Sequence, residues 1–234
     1  MGRKYPRLIV PLLIVLWLLL GVAPAAHAQN YSLTVNSTQV DVWIEYDGSV
    51  RIEYWFDFTG NPGSEPLPAV DVGLPNGNYS LSDISADVDG RRLRIDTDYQ
   101  GSGGYGVAVW LDGLEIGPGD RRVVHVVIAR VGDMVYADSQ DKDYASCQFS
   151  PTYFGRQFVN GPTDMTVRFH LPPGVKPEEP RYHKDIISPG WPQEPTSYHD
   201  IDERIVYEWR NIAASPSEQY RFCLLYTSPS PRDS

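Results

Sequence analysis

The chain has 234 residues, of which 20 are basic and 30 acidic, and carries a formal net charge of −10. A surface of that sign repels phosphate backbones and anionic headgroups, which argues against nucleic acid and against direct binding to a lipid surface. Acidity of this kind suits the solubility of an exported domain and identifies no partner by itself.

Residues 1–28 begin with Arg3, Lys4 and Arg7, continue through an apolar run from Leu8 to Val22, and close on Ala26-His27-Ala28. This order of basic, apolar and small-residue regions is that of a secretory signal peptide, with cleavage expected after Ala28. A membrane-spanning helix needs about 20 apolar residues; this run is shorter and contains Pro11. The expected location is therefore outside the cytoplasm. No twin-arginine pair is present, which points to export of the unfolded chain.

The mature chain reads as strands. In Val40–Phe58, Val40, Val42 and Ile44 share one face of their strand, as do Val50, Ile52, Tyr54 and Phe56 of theirs. A two-residue turn at Asp47-Gly48 would set Ile44 opposite Arg51 and mix core with solvent. A three-residue loop, Tyr46-Asp47-Gly48, instead pairs Ile44 with Val50 and Val42 with Ile52, and places Gly48 in the left-handed region. Further strands are expected near 69–74, 81–88, 92–96, 107–111 and 122–129. Turn signals separate them, among them Pro75-Asn76-Gly77, Asp89-Gly90 and Gly117-Pro118-Gly119. The glycine-rich run Gly101–Gly106 lacks the Lys-Ser/Thr end and the helix of a phosphate cradle, and reads as a flexible hairpin tip.

A second group of strands is expected near 163–171, 205–209 and 219–222. Between the first two lies Pro172–Pro195, with seven prolines, read as an extended, semi-rigid connection. The expected fold is all-β: an antiparallel β-sandwich in two lobes, 29–130 and 131–222, the second incomplete at its C-terminal end.

The chain closes on Cys223-Leu-Leu-Tyr-Thr-Ser-Pro-Ser-Pro-Arg-Asp-Ser234. From Cys223 to Asp233 this run resembles the in-frame translation of a transposon-end sequencing adapter. On that reading 223–234 is a non-native tail, native sequence ends near Phe222, and a Cys147–Cys223 disulfide is rejected. Cys147 then reads as a small buried hydrophobe. Without the leader's Arg3, Lys4 and Arg7 and the tail's Arg232 and Asp233, 16 basic and 29 acidic residues remain, a net −13.

Candidate sites are few. Asp138, Asp141 and Asp143 crowd one loop, but their spacing lacks the glycine and closing glutamate of a calcium loop, so a solvated acidic loop is expected and no metal site is assigned. His125 and His170 alternate out of phase with their apolar neighbours and are expected on the opposite face of their strands. His183 and His199 flank the proline-dense stretch without zinc-type spacing. No catalytic residue and no cofactor is assigned. Trp43 and Trp55 fall on the face opposite Val42 and Phe56, together with Asp41, Glu45, Glu53 and Asp57. Aromatic rings beside carboxylates on an open sheet face can bind sugars; otherwise a second sheet or a further segment covers them.

The leader followed by Tyr46-Asp-Gly-Ser-Val-Arg-Ile52, then Gly113–Asp120, Phe149-Ser-Pro-Thr-Tyr-Phe154, Gly161–Gly174 and Tyr207–Asn211, resembles the exported N-terminal region of predicted bacterial membrane proteins of unknown function. The resemblance implies a β-rich ectodomain tethered by a downstream helix and carries over no catalytic residue. The signal peptide, the strand pattern and the lack of a site constellation lead to the expected function: non-catalytic, an interaction or assembly role in the cell envelope with a protein or glycan partner. A carbohydrate-binding module using Trp43 and Trp55 is the alternative, and an envelope hydrolase the weaker third reading.

Overall fold

The computed structural model describes residues 30–101 and 103–227. The expected leader, 1–28, and the last residues of the tail, 228–234, lie outside them. The described residues form sixteen strands and one 3-10 turn, Leu81–Asp83, without an α-helix. In chain order the strands are β1 Leu33–Ile44, β2 Val50–Gly60, β3 Ala69–Gly73, β4 Ile84–Val88, β5 Arg91–Arg92, β6 Arg94–Asp96, β7 Gly106–Trp110 and β8 Arg121–Val131. There follow β9 Val135–Ala137, β10 Ala145–Phe149, β11 Val159–Asn160, β12 Thr163–His170, β13 Arg181–Tyr182, β14 Thr196–His199, β15 Ile205–Ala214 and β16 Phe222–Tyr226. No helix of the described residues is long and apolar enough to cross a membrane.

One large sheet runs β14-β15-β12-β1-β2-β8-β4-β5, with β11 beside the start of β1. Its inner face carries the alternating apolar set: Val40, Val42 and Ile44 on β1, Ile52, Tyr54, Phe56 and Phe58 on β2, and Val124, Val126 and Ile128 on β8, all within 1% of complete burial. Two smaller sheets, β13-β16-β10-β9 and β3-β7-β6, supply the opposing layer. One apolar core joins all three sheets. Phe169 of β12 meets Phe149 of β10 and Trp209 of β15 edge-on, at 6.1 and 6.0 Å between ring centroids, and packs on Phe222 at 6.5 Å.

The β1–β2 hairpin has the register that its apolar pattern demands, Ile44 opposite Val50 and Val42 opposite Ile52. Gly48 has φ +77°, a conformation that costs other residues a steric penalty. The boundary expected near residue 130 does not divide the sheets. Ser37–Trp43 of β1 pairs in parallel with Asp164–His170 of β12, so the large sheet runs through both expected lobes. This parallel join also departs from the purely antiparallel pattern; every other pairing except β1–β11 is antiparallel.

Three further expectations are refined. The strand expected over 92–96 is two short pieces in different sheets, β5 and β6. The proline-dense connection contributes β13 and buries Ile187 and Trp191, the latter edge-on to Phe222 at 4.9 Å, so it covers core as well as linking strands. The strand expected to stop at Phe222 begins there: Phe222–Tyr226 pairs along all of β10. Residues 223–226, set apart with the adapter-like tail, are apolar on both faces and fully buried, as suits a strand covered on both sides. The Ser-Pro run that cannot extend a ladder starts only at Ser228.

Candidate functional site

The outer face of the large sheet is where its polar alternation collects. Reading across the strands, Asp87, His125, Trp55, Gln39, Thr166 and Arg210 form one row, and Val127, Glu53, Asp41, Arg168 and Glu208 the next. A third row holds Arg51, Trp43, His170 and Val206. The row on the far side of Trp55 holds Val123, Asp57, Ser37 and Asp164.

Two carboxylate–imidazole–carboxylate bridges flank the central hairpin. His125 on β8 lies between Glu53 at Nε2, 2.7 Å, and Asp87 at Nδ1, 2.9 Å. His170 on β12 lies between Asp41 at Nε2, 3.1 Å, and Asp200 at Nδ1, 2.7 Å. Glu53 and Asp41 are cross-strand partners in β2 and β1, so the hairpin reaches outward from one point to both imidazoles. Each imidazole thus has a carboxyl group within hydrogen-bond distance of both ring nitrogens. Burial acts to raise the Asp87 carboxyl, but hydrogen bonds from His125 and the Gly90 N–H outweigh it and hold the group below the usual carboxylate range. Asp200 is lowered in the same way by His170 and by the N–H groups of Arg204 and Asp202.

Each imidazole also carries a tryptophan. Trp43 stacks on His170, centroids 4.6 Å apart and planes 20° from parallel, while the Arg51 guanidinium lies 4.3 Å over the same indole. Both faces of Trp43 are thus covered. Trp55 stacks on His125 at 5.1 Å and 15°. Its cross-strand neighbour on the other side is Gln39, and there the ring borders an open groove of about 370 Å³ lined also by Ser37, Asp41, Asp57, Val123 and Arg168. A second depression, of about 260 Å³, continues from Ser37, Gln39 and Arg168 to Asp164, Glu208 and Arg210. Ser37 on β1 lies between the larger Asp57 of β2 and Asp164 of β12, beside a bulge at Asn36.

The groove's charges are held in place. Arg121 grips Asp57 through Nε and Nη2 at 2.8 and 2.5 Å, and that bond chiefly keeps the Asp57 carboxyl below its ordinary range. Arg168 donates to Glu208 at 2.7 Å and lies 3.5 Å from Asp41. Arg210 holds Asp164 at 2.9 and 2.6 Å.

The two tryptophans singled out in the sequence therefore share a face but not a platform. They lie on adjacent strands roughly 13 Å apart by strand rise, and only Trp55 offers an uncovered ring. The β14–β15 loop reaches this face at His170 through Asp200, while Trp55 borders the open groove. Arg168 and His170 escaped notice beside Asp41 and Trp43 because their strand joins by a parallel pairing over more than a hundred residues.

The remaining candidates are internally engaged. Asp138 is 2% exposed. Its carboxylate accepts from the N–H groups of Gln140 and Asp141, both at 2.9 Å, from Ser146 Oγ at 3.0 Å, and meets His183 Nε2 at 2.8 Å. Burial opposes ionisation there, yet these bonds hold the Asp138 carboxyl far below its usual value. The acidic loop is thus a hydrogen-bonded turn around a buried Asp138, while Asp141 and Asp143 are exposed, as expected of a solvated loop. Ser146 and His183 both bond to the aspartate, so the order is not that of a nucleophile–base relay. His199 is exposed on the edge strand β14.

No protein-family model matches this chain, and no curated protein matches it. Among solved structures, an M1 zinc metallopeptidase from Deinococcus radiodurans is similar with a TM-score of 0.49 and 14% identity, over 83% of this chain and 42% of that one. A two-domain M1 zinc metallopeptidase mutant bound to L-tryptophan reaches 0.50 and 13% identity, over 82% and 42%. Native yeast LTA4 hydrolase gives 0.49 and 10%, over 90% and 32%. The chain spans less than half the length of each, and the likeness is one of fold alone.

Proposed function

We propose that this chain is an extracytoplasmic β-sandwich binding module of a membrane-anchored envelope protein, and that it holds a glycan on the outer face of its large sheet. The observation that carries the reading is the free face of Trp55 over the groove, with Asp57 one row to one side and Asp41 one row to the other. A sugar ring lays its apolar C–H face on an indole while its hydroxyls donate to flanking carboxylates and accept from an arginine. Arg121 and Arg168 already hold those groups oriented, so little side-chain entropy remains to be lost on binding.

Binding fits the groove better than hydrolysis. A glycosidase needs one carboxyl raised so that it keeps its proton as general acid. Asp57 is displaced the other way, by Arg121.

The test is calorimetric titration with a panel of soluble envelope polysaccharide fragments. The wild-type chain and Trp43→Ala are expected to bind one class, and Trp55→Ala to lose at least about tenfold in affinity. Equal affinity of Trp55→Ala and wild type ends the reading. Export is tested separately by fusing residues 1–28 to a reporter active only outside the cytoplasm; a silent reporter removes the extracytoplasmic part.

A further inference from the structure

The layer opposite the large sheet is split in two, and a cleft of about 270 Å³ lies between its halves. From the three-stranded sheet the cleft receives the end of β3 and Tyr99 of the β6–β7 loop. From the four-stranded sheet it receives Tyr136 of β9, Gln148 of β10 and the turn that carries Tyr153, with Gln219 at the rim. No charged side chain lines it, in a chain where 21% of residues are charged.

Tyr99 is seated there by glycines. A Cβ on Gly101 would come within 2.3 Å of the Tyr99 hydroxyl, and one on Gly106 within 2.5 Å of its ring and 2.7 Å of the Val72 carbonyl. The Gly103 N–H donates to Tyr99 Oη at 3.3 Å. Gly101, Gly103 and Gly106 thus lie against Tyr99 and shape one wall of the cleft. The other wall is fixed as well: Thr152 donates its N–H to Tyr54 Oη at 3.2 Å and its hydroxyl to the Gly73 carbonyl at 3.2 Å.

We propose that this cleft is a second binding site, for an extended, uncharged, proline-containing segment of a partner protein. A polyproline II segment makes no internal hydrogen bonds and presents its carbonyls outward, and flat aromatic slots with polar tips are what receive it. Tyr99 and Tyr136 supply rings with polar tips, and Gln148 and Gln219 supply amide donors. The uncharged lining matches an uncharged segment and leaves no partner for an acidic or basic one. The cleft also differs in kind from the Trp55 groove, since no carboxylate lines it to accept sugar hydroxyls.

The experiment uses the intact chain with decaproline as probe and a Gly-Ser decapeptide as control, read by calorimetry. Saturable binding of decaproline is expected, lowered at least about tenfold in Tyr136→Ala and unchanged in Trp55→Ala. The Tyr136 ring is 48% exposed, so its truncation is expected to leave the circular dichroism spectrum intact. Gln219→Ala, at an exposed rim position, serves as the second variant. The proposal falls if decaproline fails to saturate, if the Gly-Ser peptide binds equally, or if both variants bind as wild type. It also falls if an oligosaccharide proves to need Tyr136 but not Trp55. The decaproline and Gly-Ser results do not bear on the glycan reading, which depends on Trp55; an oligosaccharide that needs Tyr136 but not Trp55 overturns both.

Discussion

Trp43 is clamped between His170 and Arg51, whereas Trp55 is stacked on His125 alone. The same residue type on adjacent strands of one face therefore does two jobs, one as a packing plate between an imidazole and a guanidinium and one as an open ring. Trp43→Ala is expected to lower stability by about 2 kcal/mol through loss of the stack and the cation–π contact. Trp55→Ala, at the edge of a solvent-filled groove, should cost less than half of that. Urea denaturation of the two variants checks the order, and a larger loss in Trp55→Ala would contradict it.

His170 is expected to matter more than any surface ion pair on the same face. Its side chain is 10% exposed and its partners Asp41 and Asp200 are 9% and 14% exposed. His170→Ala would leave the shielded Asp41 carboxylate with Arg168 alone, at 3.5 Å, and would remove the plate beneath Trp43. A loss of about 2–4 kcal/mol is expected. Arg210→Ala breaks a pair whose arginine is 57% exposed and should cost under about 1 kcal/mol. Comparable denaturation midpoints for the two variants would refute the ranking.

Acid should unfold the chain through its carboxylates. Asp57 is lowered by Arg121, and Asp87 and Asp200 are lowered by their imidazole and backbone donors against the opposing effect of burial. A group whose folded value lies below its unfolded one holds fewer protons when folded. Its contribution is fully present above the unfolded value of 3.8 and is lost as the pH falls through the folded value. The Tm is thus expected to drop as the pH is taken below about 4, and Asp200→Asn to flatten that drop. A Tm that rises between pH 5 and pH 3 would run against it.

Period-two alternation made most long strands legible, together with the register of the β1–β2 hairpin, because a one-residue slip would carry Ile44 and Val50 to the solvent face. The same parity placed Trp43, Trp55, Asp41 and Asp57 on one outer face. It could not show that Asp41 lies beside Arg168, or Trp43 beside His170, since nothing local marks a parallel pairing between residues 37–43 and 164–170. Strand β14 was missed for a different reason: all four of its residues are exposed, so it has no apolar face to read. The groove itself is lined by side chains of four neighbouring strands, two of which, β8 and β12, are remote in sequence from the β1–β2 hairpin, and only the Trp55 wall carried a signal.

The two cysteines give a test that needs no mutation. Cys147 pairs with Leu224 and Cys223 with Gln148, in adjacent strands of the same sheet. Side chains alternate along a strand, so residues one step apart in register point to opposite faces and their sulfurs cannot meet without a register shift. Both are free and buried, and burial pushes the Cys147 thiol up to about 12. A thiol in that state is a poor nucleophile. The folded chain is therefore expected to react with a thiol-specific dye only after unfolding, then to release two equivalents, and to keep its Tm when reductant is added. Prompt labelling of the native chain, or a Tm that falls in dithiothreitol, would show that β10 and β16 do not pair in this register.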